Sequence, residues 1–327
     1  MKITSVRIKN FRGLDIEVPA FSDLTIFTGN IELAKTLFKA VKLLSQTCTH
    51  IPSAFAACSP VQDTEINLVA AIGFLNIVGE ELGAKLEKNE CNPKISFEVN
   101  FFSKKWGHLK YEIVFVDAMQ LDFTSCSVAI KKERLILCDS SSIVLDFSFG
   151  KGFIKRYNQV VAEEIDCGFM SAIATFGQFV TKDFSLFTDV YSCIKDIAIK
   201  ENFSSILEKR FLEKKPSSIL LCSEVIALDL FCGTQPLSQQ IQELHILCEK
   251  NAIQCFLISS SLPVLSLFSP DKIVVLRENA IDTLSDCLNF SNLAPQETLA
   301  SILDKLNVFG ASSLPCLDLN IENNNDF

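Results

Sequence analysis

The sequence predicts an α/β protein whose core of alternating strands and helices is interrupted by a long, antiparallel, β-rich and helical insert. Three observations carry this. A strand, a glycine-containing turn and an amphipathic helix follow one another over residues 24–44. The apolar period switches to two between Ile95 and Phe149. After Pro216 the order strand, helix, strand, strand returns.

Val6 and Ile8, then Leu14, Ile16 and Val18, alternate around a turn at Asn10-Phe11-Arg12-Gly13, predicting a β-hairpin. Leu24 to Thr28 is a short apolar strand, and Leu37, Ala40, Val41 and Leu44 share one face of the helix after Gly29-Asn30. Residues 66–78 read as a buried helix. Ile95, Phe97, Val99 and Phe101, then Tyr111, Ile113 and Phe115, then Leu145, Phe147 and Phe149 mark strands of an antiparallel sheet. Residues 160–215, with Phe, Ile and Leu at three-to-four spacing, read as a helical lobe. Ile219 to Cys222, Ile253 to Ile258 and Ile273 to Leu276 read as strands, and Leu237, Ile241, Leu244 and Cys248 as one helix face. The expected organisation is therefore a core from residues 1–50 and 216–290, an insert from 51–215, and a C-terminal helix with a frayed acidic tail over 291–327.

A net charge of -9 argues against a surface that is basic all over, although Lys2, Arg7, Lys9 and Arg12 on the hairpin form one candidate basic strip. Thirteen cysteines placed inside apolar runs, such as Cys222, Cys248 and Cys255, with no C-x-x-C pair, read as small core hydrophobes of a cytoplasmic protein and not as a disulfide scaffold. His50, His108 and His245 sit at no metal-ligand spacing. The apolar runs fall short of the roughly 18 residues that a spanning helix needs, so no membrane partner is expected.

Chemistry concentrates at two places. Gly29-Asn30-Ile31-Glu32-Leu33-Ala34-Lys35-Thr36 follows the phosphate-loop spacing G-x-x-x-x-G-K-[S/T], with Ala34 at the second glycine and Glu32 inside the loop. In that register Lys35 would meet the β- and γ-phosphates and Thr36 would meet Mg²⁺. The Ala34 Cβ and the Glu32 carboxylate both oppose a phosphate there. Further on, the apolar strand ends in Ser223-Glu224, where metal-dependent phosphate chemistry asks for an acidic pair to hold the metal and polarise water.

The opening Met1-Lys2-Ile3 through Ile8-Lys9-Asn10-Phe11-Arg12-Gly13 resembles the first hairpin of RecF-like, OLD-like and abortive-infection-type ATPases. Leu265-Ser266-Leu267-Phe268-Ser269-Pro270-Asp271-Lys272-Ile273 resembles the segment after their switch histidine, and Tyr111-Glu112-Ile113 and Glu133-Arg134-Leu135 fall in matching order. The resemblance implies an ABC/RecF-like P-loop NTPase core of the RecF/SMC/OLD class. It also implies ATP and Mg²⁺ as cofactors, Gly29, Asn30, Ala34, Lys35 and Thr36 as the nucleotide site, and Glu224 as candidate base. Ser223 then stands where the family has Asp, and Ser260 where it has the switch histidine. The signature that caps a partner's ATP has no clean copy; Phe203-Ser204-Ser205 with Glu208-Lys209-Arg210 is a worn remnant, and Ala227-Leu228-Asp229 echoes the loop after the acidic motif. No nuclease domain of the kind that OLD-like proteins carry is expected in this chain.

Replacements at four positions that serve hydrolysis make an inactive or weak ATPase the expectation. Such a degenerate ATPase would act as a binding or regulatory subunit, with a protein partner or a second copy, in a DNA-maintenance or anti-phage assembly. Two alternatives stay open: a slow, genuine ATPase coupled to DNA or a nuclease partner, and an unrelated α/β interaction domain.

Overall fold

The computed structural model describes residues 1–12, 14–18, 21–50, 94–117, 128–157, 159, 161–167, 171–200, 216–225, 237–277 and 280–290. The fold is mixed α/β, built on two sheets. The first is eight-stranded and antiparallel throughout, in the order β2-β1-β4-β5-β6-β7-β8-β9. Its strands are β1 (Lys2–Phe11), β2 (Leu14–Val18), β4 (Lys94–Ser103), β5 (Gly107–Asp117), β6 (Val128–Leu137), β7 (Ser142–Ser148), β8 (Lys151–Ile154) and β9 (Glu163–Asp166). The second has the order β10-β11-β12-β3-β13-β14, from β3 (Leu24–Gly29), β10 (Ile197–Lys200), β11 (Ser218–Glu224), β12 (Gln254–Ile258), β13 (Ile273–Arg277) and β14 (Ala280–Thr283). All its neighbours are parallel except β13 and β14.

Period-two patterning decides which faces are covered. On the second sheet Phe27, Leu220, Phe256, Ile258, Val274 and Leu276 join the large core that also holds the inner face of the first sheet. Leu24, Ile26, Ile219, Leu221, Cys255, Leu257, Ile273 and Val275 face the opposite way into a smaller core. Helix α1 (Ile31–His50) fills the large core: Ala34, Leu37, Phe38, Val41 and Leu44 recur at three-to-four spacing and are buried. The Phe38 ring meets Phe27 of β3 edge to face at 5.4 Å. Beside α1 lie α2 (Ala172–Phe176) and α3 (Ser185–Lys195). The smaller core is closed by α4 (Leu237–Asn251), through Ile241, Leu244 and Cys248, with α5 (Leu262–Leu265) and α6 (Leu284–Phe290). A sheet clothed on both faces carries near-continuous apolar strands, as β12 and β13 do.

The strands divide differently from a split at residues 50 and 216. The hairpin β1–β2 belongs to the antiparallel sheet, and β10, from within residues 51–215, joins the parallel one. Nor is the stretch from 160 onward helical throughout, because β9 and β10 interrupt it. The expected helix over 66–78, the signature remnant at 203–210, the Ala227-Leu228-Asp229 echo and the tail over 291–327 lie outside the described residues.

Two buried polar side chains tie the layers together. The Gln254 amide, at 1% exposure, accepts from Ile3 N (2.6 Å) and donates to Ile3 O (2.8 Å), so the first strand of one sheet is hydrogen-bonded to a side chain of the other. Glu133 on β6 is likewise buried, and its carboxylate accepts from Tyr111 Oη (2.7 Å), Ser171 Oγ (2.7 Å), Ala172 N (2.6 Å) and Ile173 N (3.0 Å). It thereby caps α2 from outside the helix.

Replacing Gln254 by Ala leaves two buried backbone groups of Ile3 without partners. At about 1–3 kcal/mol for each such group, urea denaturation should show a loss of about 2–6 kcal/mol. For Glu133, burial pushes the carboxyl above its ordinary value of 4.5, against the pull of its four donors. A carboxyl raised on folding holds more protons folded than unfolded, so its contribution to stability is full below 4.5 and declines as pH rises towards the folded-state pKa. Thermal melts at a series of pH values should therefore show the stability difference between wild type and Glu133→Gln shrinking as pH is raised from 4.5.

Candidate functional site

The carboxyl ends of β11, β12, β3 and β13 lie side by side, the position at which open α/β sheets take ligands. Gly29 closes β3 at φ 91°, a left-handed conformation that disfavours any residue with a Cβ. Asn30 N then donates to Leu276 O of β13 (3.0 Å). From there the chain enters α1 at once. The Asn30 side chain accepts from Leu33 N (3.0 Å), and its carbonyl accepts from Ala34 N (3.1 Å), which makes Asn30 the N-cap of a helix starting at Ile31.

This start changes the reading of the Gly29–Thr36 string. In a phosphate loop the residues between the two glycines stay out of the helix and turn their N–H groups inward. Here Ile31, Glu32, Leu33 and Ala34 are the first turn of α1. Ala34 is buried against the large core, and its N–H is already bonded within the helix. Lys35 Nζ holds Glu32 Oε1 at 2.8 Å, one turn apart, and the Thr36 hydroxyl donates to Glu32 O at 2.8 Å. The expected clash of Glu32 with a phosphate also takes another form. Its side chain is 80% exposed, and the Lys35 hydrogen bond and charge lower its pKa. The residues present do not fit a phosphate cradle in this arrangement, and the Lys35 ammonium and Thr36 hydroxyl are engaged by the helix itself.

The other site residues gather next to Gly29. Ser223 and Glu224 end β11; their side chains lie outside the described residues, but the register sets Glu224 opposite Ile258. Ser260 lies two residues past the end of β12, before α5. Ser259, which sequence reasoning passed over, is the residue that joins these ends. Its N–H donates to Phe27 O (2.9 Å) and its hydroxyl to Val225 O (2.5 Å), so β12 is stitched to both β3 and β11. Ser261 N donates back to the Ser259 hydroxyl (3.0 Å). The signal for Ser259 was present: it is the first polar residue after the apolar run Cys255–Ile258.

Of the hairpin strip, Lys2 pairs with Asp23, and Arg7 approaches Glu17 at 3.7 Å. Arg7, Lys9, Lys94 and Lys132 line a shallow concavity of about 610 Å³ on the outer face of the antiparallel sheet, together with Asp15, Glu98 and Glu112. Lys131 lines it too, and carboxylates meet only part of this set of cations. Lys132 meets Glu112 at 2.8 Å, and Lys110 meets Glu98 at 2.8 Å and Glu112 at 3.0 Å.

The chain matches no family model, no curated protein and no solved structure. Residue chemistry and geometry therefore carry the functional reading. Among the described residues no group of three or more His, Cys, Asp or Glu is placed to hold a metal ion, and no helix is long and apolar enough to cross a membrane. His245 sits on α4 with Nε2 2.7 Å from Lys272 Nζ and Nδ1 3.5 Å from Glu249, contacts of a helix surface. The cysteines among the described residues are free thiols. Burial pushes Cys167 and Cys193 up to about 12, so they are unreactive at neutral pH.

As the N-cap of α1, Asn30 should be sensitive to truncation. Asn30→Ala should cost about 1 kcal/mol in chemical denaturation.

Proposed function

We propose that this chain is a non-hydrolysing, RecF/OLD-like ATPase-fold protein that works as a binding or regulatory subunit, of the kind found in DNA-maintenance or anti-phage assemblies. The observation that carries the reading is the start of α1 at Ile31, immediately after Gly29-Asn30. There the Asn30 side chain takes Leu33 N–H and the Asn30 carbonyl takes Ala34 N–H, so two of the N–H groups that would surround phosphates are already bonded. Ser223 and Ser260, beside it, bring hydroxyls where hydrolysis needs a carboxylate and an imidazole. Such losses act together: a site without its phosphate loop gains little from a surviving base such as Glu224.

The occupant of such a subunit's surface is a protein or a second copy, engaged without nucleotide. DNA is the poorer fit to the outer sheet face, because Arg7 and Lys132 already meet Glu17 and Glu112, and Asp15 and Glu98 would face the phosphates with like charge.

Calorimetry of the purified chain with ATP, with and without Mg²⁺, should give no saturable heat. Light scattering across a range of protein concentrations should give the same mass with and without Mg-ATP. Saturable binding that Lys35→Ala abolishes, or dimerisation that appears only with Mg-ATP, would establish the slow ATPase reading instead.

A further inference from the structure

A second cavity, of about 400 Å³, opens at one end of the antiparallel sheet, far in the topology from the carboxyl ends of the parallel strands. Two hairpin turns form its walls: Lys105-Trp106 between β4 and β5, and Ser140 with Ser142 between β6 and β7. The segment Lys155-Arg156-Tyr157 after β8 closes it, over an apolar floor that includes Val144 and Leu186.

The lining is held in place before any ligand arrives. Trp106 Nε1 donates to Asp189 Oδ2 of α3 at 2.7 Å, and the Lys105 ammonium sits 4.2 Å from the Trp106 ring centre. Tyr157 packs against Trp106 edge to face at 5.2 Å, its N–H bonded to Asp183 O at 3.1 Å, and 42% of the residue remains exposed. Arg156 pairs with Glu163 and lies 4.9 Å from the Phe184 ring centre. Groups fixed in this way lose little entropy on binding.

The charge balance selects the ligand. Lys105, Lys155 and Arg156 bring three positive charges; Asp189 lies 3.7 Å from Lys105, and Glu163 pairs with Arg156. Three less two leaves one, on Lys155, which makes no ion pair among the described residues. One unpaired cation, with Lys105 only 3.7 Å from an Asp189 that Trp106 also engages, beside two aromatic rings suits a flat ring with one phosphate, of charge about -1.5 to -2 at neutral pH. It does not suit a triphosphate or a nucleic-acid backbone, which would bring more charge than the pocket can offset. The volume lies at the small-ligand end of the usual range of about 300–1,000 Å³.

We propose that this cavity is a binding site for a small aromatic monophosphate of the nucleoside monophosphate type, with Tyr157 and Trp106 as the ring contacts and Lys155 as the phosphate contact. It is independent of the Gly29–Thr36 region and stands whether or not that region binds ATP.

Trp106 is the chain's single tryptophan, so its fluorescence reports this cavity directly. Titration of the whole chain with AMP, GMP and UMP at low salt, checked by calorimetry, should give saturable binding of at least one with a dissociation constant below about 1 mM. Adenosine, which lacks the charge, and ribose 5-phosphate, which lacks the ring, should each bind at least about tenfold more weakly. Lys155→Ala and Tyr157→Ala should each weaken binding about tenfold while circular dichroism and melting stay as in wild type, since both side chains reach the surface. No saturable binding of any monophosphate by either method would overturn the proposal. So would equal binding of adenosine, or unchanged affinity in a folded Lys155→Ala protein.

Discussion

The arrangement of the whole molecule depends on the side-chain amide of Gln254. Strand β2 ends at Val18, opposite Val6, so β1 continues past it, and on the side away from β4 the backbone groups of Ile3 have no strand beside them. Gln254, the first residue of β12, supplies both an acceptor and a donor to Ile3 and so acts as a short piece of strand made from a side chain. Buried backbone groups must be paired, and a side-chain amide carries a separate acceptor and donor side by side, as a backbone peptide group does. Around it, Cys255 N donates to Asp23 O, Phe21 N donates to Thr4 O, and Asp23 pairs with Lys2. The segment joining the two sheets is thus sewn to both, and Leu24 enters β3 in a fixed register.

Once the sheets are joined, α1 has only one place to go. Its buried residues Ala34, Leu37, Phe38, Ala40 and Val41 cover one broad face, with Glu32, Lys35 and Lys39 on the other, which suits a helix packed into a core along one side. The polar atoms that must enter this interior are satisfied in groups. Glu133 takes four donors, and three of those are the hydroxyl and amides that open α2. Lys42 reaches Ile197 O of β10 at 3.3 Å, and desolvation lowers its pKa. Such clamps make the joint between sheet and helix specific in a way that apolar contact cannot, because a displaced helix would leave several buried donors unpaired at once.

Elements long enough to show a period were legible in the sequence: the strands at Ile95–Phe101 and Tyr111–Phe115, the parallel strands β11 to β13, and the α4 face at Ile241, Leu244 and Cys248. Strands β9 and β10 were not, because four residues such as Glu163-Glu164-Ile165-Asp166 carry no period and the surrounding Phe, Ile and Leu mimic helical spacing. Sheet membership was not legible either. The hairpin at Lys2–Val18 reads the same whichever sheet it joins, and the pairing of β1 with β4 is made across some ninety residues of chain. At the candidate site the positions of Gly29, Glu224 and Ser260 along the sheet edge followed from their strands. The joining role of Ser259 and the cavity around Trp106 arise from residues distant in sequence, which no local pattern announces.

The Gly29–Thr36 string shows how a spacing can survive while its physics is lost. Judged as a phosphate loop, Ala34 is a steric fault, a Cβ where a glycine belongs. Judged as a helix, Asn30-Ile31-Glu32-Leu33-Ala34-Lys35 is a favourable opening. It has a strong N-cap, a carboxylate in the first turn where the helix dipole welcomes it, and Ala34, which favours a helix over glycine by about 1 kcal/mol. The Glu32–Lys35 pair adds to the same side. Each of these choices moves the balance from loop to helix, and burial of Ala34 in the large core fixes the outcome. The string is therefore not a phosphate loop obstructed by one methyl group. Restoring glycine at Ala34 alone would leave the Asn30 cap, the Glu32–Lys35 pair and the packing of Ile31 and Leu33 against the core still favouring the helix.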